Sequence, residues 1–397
     1  MSGTEALARD RFSLPRGIIY LDGNSLGALP SATPERLRAV MREEWRTDLI
    51  GSWNKHKWIE APSRIAARLA PIVGAKPQEL LIADSTSVTL FKLLAAAVQA
   101  RPGRKTILTS VANFPTDLYV AQGIATMLGL RVVTVDPESI KAAIDADVAV
   151  VTLTHVDYRS ADVLDMAAIN AAAQDAGALS CWDLSHSAGA LVLDLEGSGC
   201  DLAVGCGYKY LNGGPGAPAF LFVAKRLQDE LRSPVQGWMG HSDPFAFAGE
   251  FEPASGVGRF LTGTPSILAL TALDCGLATF EGIAMAEVEA RSRALSQVFI
   301  EAVENRCGNK VKLASPRDPV RRGSHVSFIH PQGYAVIQAL IERSVVGDFR
   351  QPDLMRFGFA PLYNSEDEVV RAAAVLAEIV DSRAWDDPRF LTRKRVT

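Results

Sequence analysis

Cysteine is scarce in this chain: five in 397 residues, an odd number, with no pair at zinc-finger spacing. A disulfide framework is therefore not expected. Cys181, Cys200, Cys206, Cys275 and Cys307 lie mostly in apolar runs and read as reduced core residues of a cytoplasmic protein. No metal site is expected. The first ten residues lack the apolar stretch of a secretory signal, and no apolar run nears the roughly 20 residues that cross a bilayer. Positive charge is not in excess: 41 Lys and Arg against 45 Asp and Glu leave a net charge of −4. Nucleic acid and membranes are not expected partners. No repeat period or low-complexity tract appears. What remains is an ordinary globular composition, 48% apolar and 22% charged, long enough for one large domain and a smaller one.

Strand and helix patterns alternate from residue 80 onward. Strands are predicted at 80–83, 106–110, 131–135, 148–153, 178–183, 201–205 and 219–224, with helices at 87–99, 116–128 and 167–176 between them. Short apolar strands alternating with helices imply an α/β fold, a mostly parallel sheet covered on both faces. Before it stand a strand-like piece at 17–21 and a helix at 34–47. A long helical pattern over 281–305 then leads into strands at 310–314, 325–330 and 354–359 and helices at 334–343 and 365–381, a small α+β domain. The expected divisions are an N-terminal segment 1–50, a large domain 51–280 and a small domain 281–397.

The chemistry centres on Gly205-Cys206-Gly207-Tyr208-Lys209-Tyr210-Leu211-Asn212-Gly213-Gly214. One lysine stands among small residues, between two tyrosines and before a glycine-rich turn. A partly desolvated amine loses its proton more easily and becomes the nucleophile that bonds to an aldehyde, and small neighbours let a flat ring lie close. A lysine closing a core strand is the alternative. Asp183 ends the strand 178–183, where it can reach the crevice at the carboxyl edge of a parallel sheet and hold a pyridine nitrogen in its protonated form. Its plainer reading is a helix N-cap. His186 reads equally as a site residue or a satisfied core histidine. Thr86 and Ser87 stand at a helix N-terminus, as a phosphate seat or as ordinary caps. Phe114 and Asp117 follow the strand 106–110, and Phe114 either stacks on a flat ring or staples into the core. Thr154 follows the strand 148–153.

These segments together resemble the kynureninases, pyridoxal-phosphate hydrolases of fold type I in the aspartate-aminotransferase superfamily. The resemblance runs through Tyr20-Leu21-Asp22-Gly23-Asn24-Ser25-Leu26-Gly27, the stretches 113–117, 182–189 and 208–214, Gly237-Trp238-Met239-Gly240-His241, 259–265 and Arg356-Phe357-Gly358-Phe359-Ala360-Pro361-Leu362-Tyr363-Asn364. It implies that Lys209 is the Schiff-base lysine, Asp183 the partner of the pyridine nitrogen and Phe114 the ring stacked on the cofactor. Thr86, Ser87, Asp117, Thr154, His186 and Tyr208 would belong to the cofactor shell. Trp238 and Thr264 would come from the second subunit of a homodimer with shared active sites, and the N-terminal segment would pack on that subunit and on the small domain. Arg356 would clamp the substrate carboxylate, for which a rigid fork of donors suits a planar acid.

The implied reaction is L-kynurenine plus water to anthranilate plus L-alanine, by cleavage of the Cβ–Cγ bond. Lys209 would act as general base. Tyr208 has two readings, proton transfer at the hydrated ketone or phosphate binding alone. Relatives that prefer 3-hydroxykynurenine carry a histidine and an asparagine near the aryl ring, and the matching positions here are Trp53 and, after Gly263, Thr264. A bulky apolar Trp53 implies L-kynurenine as the substrate. The nearest rivals are a class V aminotransferase, which Lys209 and Asp183 would serve equally, and a cysteine desulfurase, whose late nucleophile would have to be Cys307. A non-catalytic regulator on the same fold would need a DNA-binding module, for which about fifty N-terminal residues leave no room.

Overall fold

The computed structural model describes residues 5–393, so the ends of the predicted first and last divisions lie outside the described residues. A short strand, β1 (Ile19–Tyr20), precedes the main sheet. That sheet takes β2 (Leu80–Ala83), β3 (Thr106–Ser110), β4 (Arg131–Val135), β5 (Val148–Thr154), β6 (Leu179–Asp183), β7 (Leu202–Cys206) and β8 (Ala219–Val223). Their spatial order is β2-β8-β7-β6-β5-β3-β4. Only β8 runs against its neighbours, pairing antiparallel with both β2 and β7. The strands β3, β5, β6, β7 and β8 are buried along their whole length. Burial on both faces is what a near-continuous apolar strand requires, and the helices Thr86–Gln99, Pro115–Leu128 and Met166–Asp175 supply the covers.

The C-terminal part adds β9 (Lys312–Leu313), β10 (His325–Ile329), β11 (Val345–Val346), β12 (Asp348–Arg350) and β13 (Leu354–Gly358). Four of these make an antiparallel sheet in the order β12-β13-β10-β9, while β11 pairs in parallel with β1. The apolar residues fall into two main cores. One lies around the seven-stranded sheet, and the other joins β10 and β13 to the helices Met285–Cys307, Gly333–Glu342 and Glu366–Ser382. The long helix Met285–Cys307 serves both: Val288 is buried in the first core, and Leu295, Phe299 and Val303 in the second. Ile19 and Leu21 belong to the second core, whereas Phe12 and Ala28 belong to the first. The stretch between them therefore crosses from one core to the other.

The predicted helix at 34–47 is an α-helix only over Thr33–Ala39 and continues as a π-helical stretch, Val40–Asp48. Four α-helices have no counterpart in the predicted pattern: the short Ser52–Lys55 and Ile140–Ala143 and the longer Ala61–Val73 and Ile267–Ala278.

Candidate active site

Six strands of the main sheet share one direction, so the segments leaving their carboxyl ends meet along one edge. A pocket opens there, lined by Thr86, Ser87, Phe114, Asp117, Thr154, Asp183, His186, Tyr208 and Lys209, together with Thr116, Tyr158 and Ser185. The first nine are those that the sequence singled out. They leave five strands, β2, β3, β5, β6 and β7, which is why residues from Thr86 to Lys209 converge.

Lys209 follows β7 and is half-buried, with Nζ 3.1 Å from Nε2 of His186 and 6.0 Å from the centre of the Phe114 ring. His186 is buried, and its Nε2 also lies 3.2 Å from the carbonyl oxygen of Asn24. Burial, then the Lys209 and Arg356 charges, push its pKa well below the ordinary imidazole value. It is therefore a neutral ring beside the lysine, able to accept a hydrogen bond from the ammonium form. The approach of the N-terminal segment depends on Gly27. Its N–H donates to the Tyr208 carbonyl at 2.8 Å, and a Cβ there would fall 2.4 Å from the carbonyl oxygen of Lys209.

Asp183 ends β6 and is 5% exposed. Its Oδ1 accepts from the Ser185 backbone N–H at 2.8 Å and the Ser185 hydroxyl at 2.6 Å. No helix follows, so it closes a tight turn rather than capping a helix. Among the described residues nothing donates to its Oδ2. Asp117 is buried nearby, and Thr154 Oγ1 donates to its Oδ2 at 3.3 Å. Burial raises the pKa of both acids; the Asp183 charge raises Asp117 further, while Lys209 lowers both. Burial thus favours the protonated form of both acids, and the lysine beside them opposes it.

At the other end of the pocket the helix Thr86–Gln99 begins after Ser85 in extended backbone, with no side-chain cap. Its first N–H groups and the hydroxyls of Thr86 and Ser87 make a seat for an anion. Phe114 is 36% exposed and stands edge-on to Tyr158, with ring centres 5.2 Å apart, so it is not a core staple. Asn113 holds it in place: its Oδ1 accepts from the Phe114 and Thr154 backbone N–H groups at 2.9 and 3.1 Å, and its Nδ2 donates to Thr109 at 3.0 Å. The Tyr208 phenol is pushed above its ordinary value by burial, then by Cys206 and Asp183, and so keeps its proton at neutral pH.

Arg356 does not line this pocket but sits behind it, 1% exposed, on β13 and directly opposite Asp348 of β12. Its Nε donates to Asp348 Oδ1 at 2.8 Å and its Nη2 to Asp348 Oδ2. Nη2 also donates to Ser25 at 3.1 Å, and Nη1 to the Tyr158 carbonyl at 2.6 Å. Of the five guanidinium N–H bonds, one on Nη1 remains. With its amide turned, Asn24 places its oxygen 2.9 Å from Nε and 3.1 Å from Nη2. Asp22 completes the cluster: one of its buried oxygens has no partner, and burial, then the Asp348 charge, push its pKa up to about 7.

Four of the predicted residues stand elsewhere on this chain. Trp53 lies in the short helix Ser52–Lys55, edge-on to Trp58 at 5.7 Å. Trp238 is 40% exposed among Phe245 and Phe247. Gly263 and Thr264 line a separate cleft before the helix Ile267–Ala278. Sequence reasoning passed over Tyr158, Asn24, Ser25 and Asp348 as site residues. Asn24 and Ser25 stood inside a quoted motif, but Asp348 belongs to a three-residue strand that carries no pattern of its own.

Comparison with known proteins settles the family. A family model described as the kynureninase C-terminal domain matches residues 288–376. A kynureninase from Pseudomonas fluorescens is 49% identical, over 98% of this chain and 95% of its own length. The chain belongs to the kynureninase family. A kynureninase of Burkholderia mallei is 48% identical over the same shares of the two chains. The apo structure of a cysteine desulfurase from Thermococcus onnurineus NA1 shares the fold, with a TM-score of 0.80 at 21% identity over 94% of this chain and 98% of that one.

As a kynureninase the protein is a pyridoxal-phosphate-dependent hydrolase acting on a carbon–carbon bond. The rival aminotransferase and desulfurase readings are set aside, and the structure agrees on the second. Cys307 is 3% exposed at the end of a helix in the second core, where burial raises its thiol to about 11. Such a thiol is no nucleophile.

Proposed function

We propose that this kynureninase hydrolyses L-kynurenine, in preference to 3-hydroxykynurenine, to anthranilate and L-alanine, with Lys209 as the base that moves the α-proton. The observation that carries this reading is the pairing of the Lys209 amine with a neutral His186 beside an unpartnered oxygen of Asp183.

The pocket suits pyridoxal phosphate on electrostatic grounds. Asp183 leaves its Oδ2 without a donor while Ser185 holds Oδ1, so a protonated ring nitrogen would be met by that free oxygen. The uncapped helix start at Thr86 and Ser87 suits the phosphate, and the exposed Phe114 ring suits the flat face. Thr154, Asp117, His186 and Tyr208 complete the shell. When bound, the cofactor offers a carbonyl to the amine and an electron-accepting ring that makes bonds at the amino acid's Cα and Cβ labile.

The residues then have distinct tasks. Lys209, released to carry a proton, takes it from the substrate Cα and returns it nearby, with His186 holding the amine in place. Tyr208, protonated at neutral pH, donates towards the side-chain ketone as water adds and the Cβ–Cγ bond breaks. Arg356 offers its remaining Nη1 N–H to the α-carboxylate, with its orientation set by Asp348 and Ser25. Trp238 and Thr264 reach a second subunit's pocket in a homodimer. The exposed rings of Trp238, Phe245 and Phe247 support that, as an apolar cluster on one surface loop.

Trp53 does not line the pocket of its own chain, and the preference rests on its place in the sequence: an apolar ring there has no acceptor for an extra hydroxyl. The nearby imidazole of His56 is already engaged, 2.7 Å from Asp48. The test is kcat/KM for both substrates, followed by product fluorescence. L-kynurenine should be the better substrate, and a higher value for the 3-hydroxy compound would sink the preference.

A further inference from the structure

Away from the pocket, the helix Thr86–Gln99 carries a lysine with no exposure at all, Lys92. Its Nζ donates to Asp84 Oδ2 at 2.5 Å, to the Phe260 carbonyl at 2.7 Å and to Thr262 Oγ1. A lysine ammonium has three protons, so each is matched to one acceptor. Burying an ammonium is unfavourable unless it is paired and hydrogen-bonded, and an apolar side chain would fill the same space at less expense. What the lysine adds is a connection between the helix and the segment 260–262. Thr262 is fixed on its other side as well. Its carbonyl accepts from the Met239 N–H at 3.2 Å, and a Cβ on Gly237 would fall 2.2 Å from that same oxygen. Both segments that end in unplaced site residues, Trp238 and Thr264, are therefore anchored through Thr262 to one buried cation.

We propose that Lys92 is a positioning residue acting across the dimer: it fixes the segments bearing Trp238 and Thr264, which complete the neighbouring subunit's pocket. The inference rests on the shared-site reading above. Lys92 has a second route of influence, through its own helix to Thr86 and Ser87 in its own pocket. The two routes are separable because they act on different subunits.

Hybrid dimers decide between them. Subunits carrying different tags are co-expressed, purified through both tags and loaded with pyridoxal phosphate, and turnover of L-kynurenine is measured. Lys92→Met homodimers should lose at least ten-fold in kcat/KM. In a hybrid of Lys209→Ala with Lys92→Met, one pocket has no lysine. The other combines an intact Lys209 with segments held by the intact Lys92 of the other subunit. That hybrid should recover about half of the wild-type kcat at the wild-type KM. A hybrid as weak as the Lys92→Met homodimer overturns the proposal, as does a fully active Lys92→Met homodimer.

Thr262→Val, which removes one acceptor and keeps the shape, is read in the same format and decides the matter if Lys92→Met does not fold. A control hybrid of Lys209→Ala with Trp238→Ala tests the dimer reading alone. If it stays as impaired as the Trp238→Ala homodimer, the shared site is refuted. If it recovers and the Lys92→Met and Thr262→Val hybrids do not, only the role of Lys92 fails.

Discussion

Replacing Arg356 by lysine keeps the charge and removes the fork, which makes it a sharp probe of how the carboxylate is held. Arginine here directs two N–H groups to Asp348, one to Ser25 and one to the Tyr158 carbonyl, leaving one on Nη1 for the proposed contact with the substrate. A lysine has three donors at a single point. Once Asp348 and Tyr158 are satisfied, no well-directed donor is left for the α-carboxylate. The loss is one charge-assisted hydrogen bond, about 1.5 to 3 kcal/mol, or roughly 10- to 150-fold in kcat/KM at 1.4 kcal/mol per decade. Product inhibition separates this from general damage. L-alanine, which keeps the carboxylate, should inhibit the variant more weakly by a similar factor, whereas anthranilate should inhibit as before. A kcat/KM within about three-fold of wild type, or equal weakening for both products, would refute the reasoning.

Two further perturbations read the N-terminal segment. Asp22 has a pKa raised to about 7, so between roughly pH 4 and 7 the folded protein binds a proton that the unfolded chain has released. Its contribution to stability therefore declines as pH rises through that window and is fully unfavourable above it. Asp22→Asn should stabilise the protein at pH 8 by up to roughly 4 kcal/mol and leave it nearly unchanged at pH 4. Urea unfolding at both pH values checks this, and an equal shift at the two would rule it out. Gly27→Ala places a methyl 2.4 Å from the Lys209 carbonyl and 2.5 Å from Asn212. It should weaken pyridoxal phosphate binding and lower stability by about 1 to 3 kcal/mol, read from visible absorbance and thermal melting; an unchanged absorbance titration contradicts it.

The main sheet was legible because buried strands and covering helices alternate with a clear change of period, and the turns between them carry polar residues. Lys209, Asp183, Thr154 and Phe114 could be found for the same reason: each stands just past or at the end of a strand. The helix Ile267–Ala278 escaped because it is apolar almost all round and shows no period, whereas Ala61–Val73 has a regular buried face, through Ile65, Ala66, Leu69 and Ala70, that the sequence reading passed over. The surroundings of Arg356 were invisible for a different reason. Asp348 meets it through strand pairing and Ser25 through a contact 331 residues apart, and neither relation leaves a local signature. Trp53, Trp238, Gly263 and Thr264 bear marks of the family in sequence, yet nothing local says that they lie outside the pocket of their own chain.

The contact between Ser25 and Arg356 also fixes the order of events at birth. At about 5 to 20 residues per second, the ribosome takes roughly 15 to 65 seconds to supply the 331 residues that separate them. Throughout that interval the segment beside Lys209 has neither β11 nor β13 to lie against. The nascent large sheet can form, but a chain interrupted before Arg356 carries its lysine and lacks the strand that the segment 20–27 leans on.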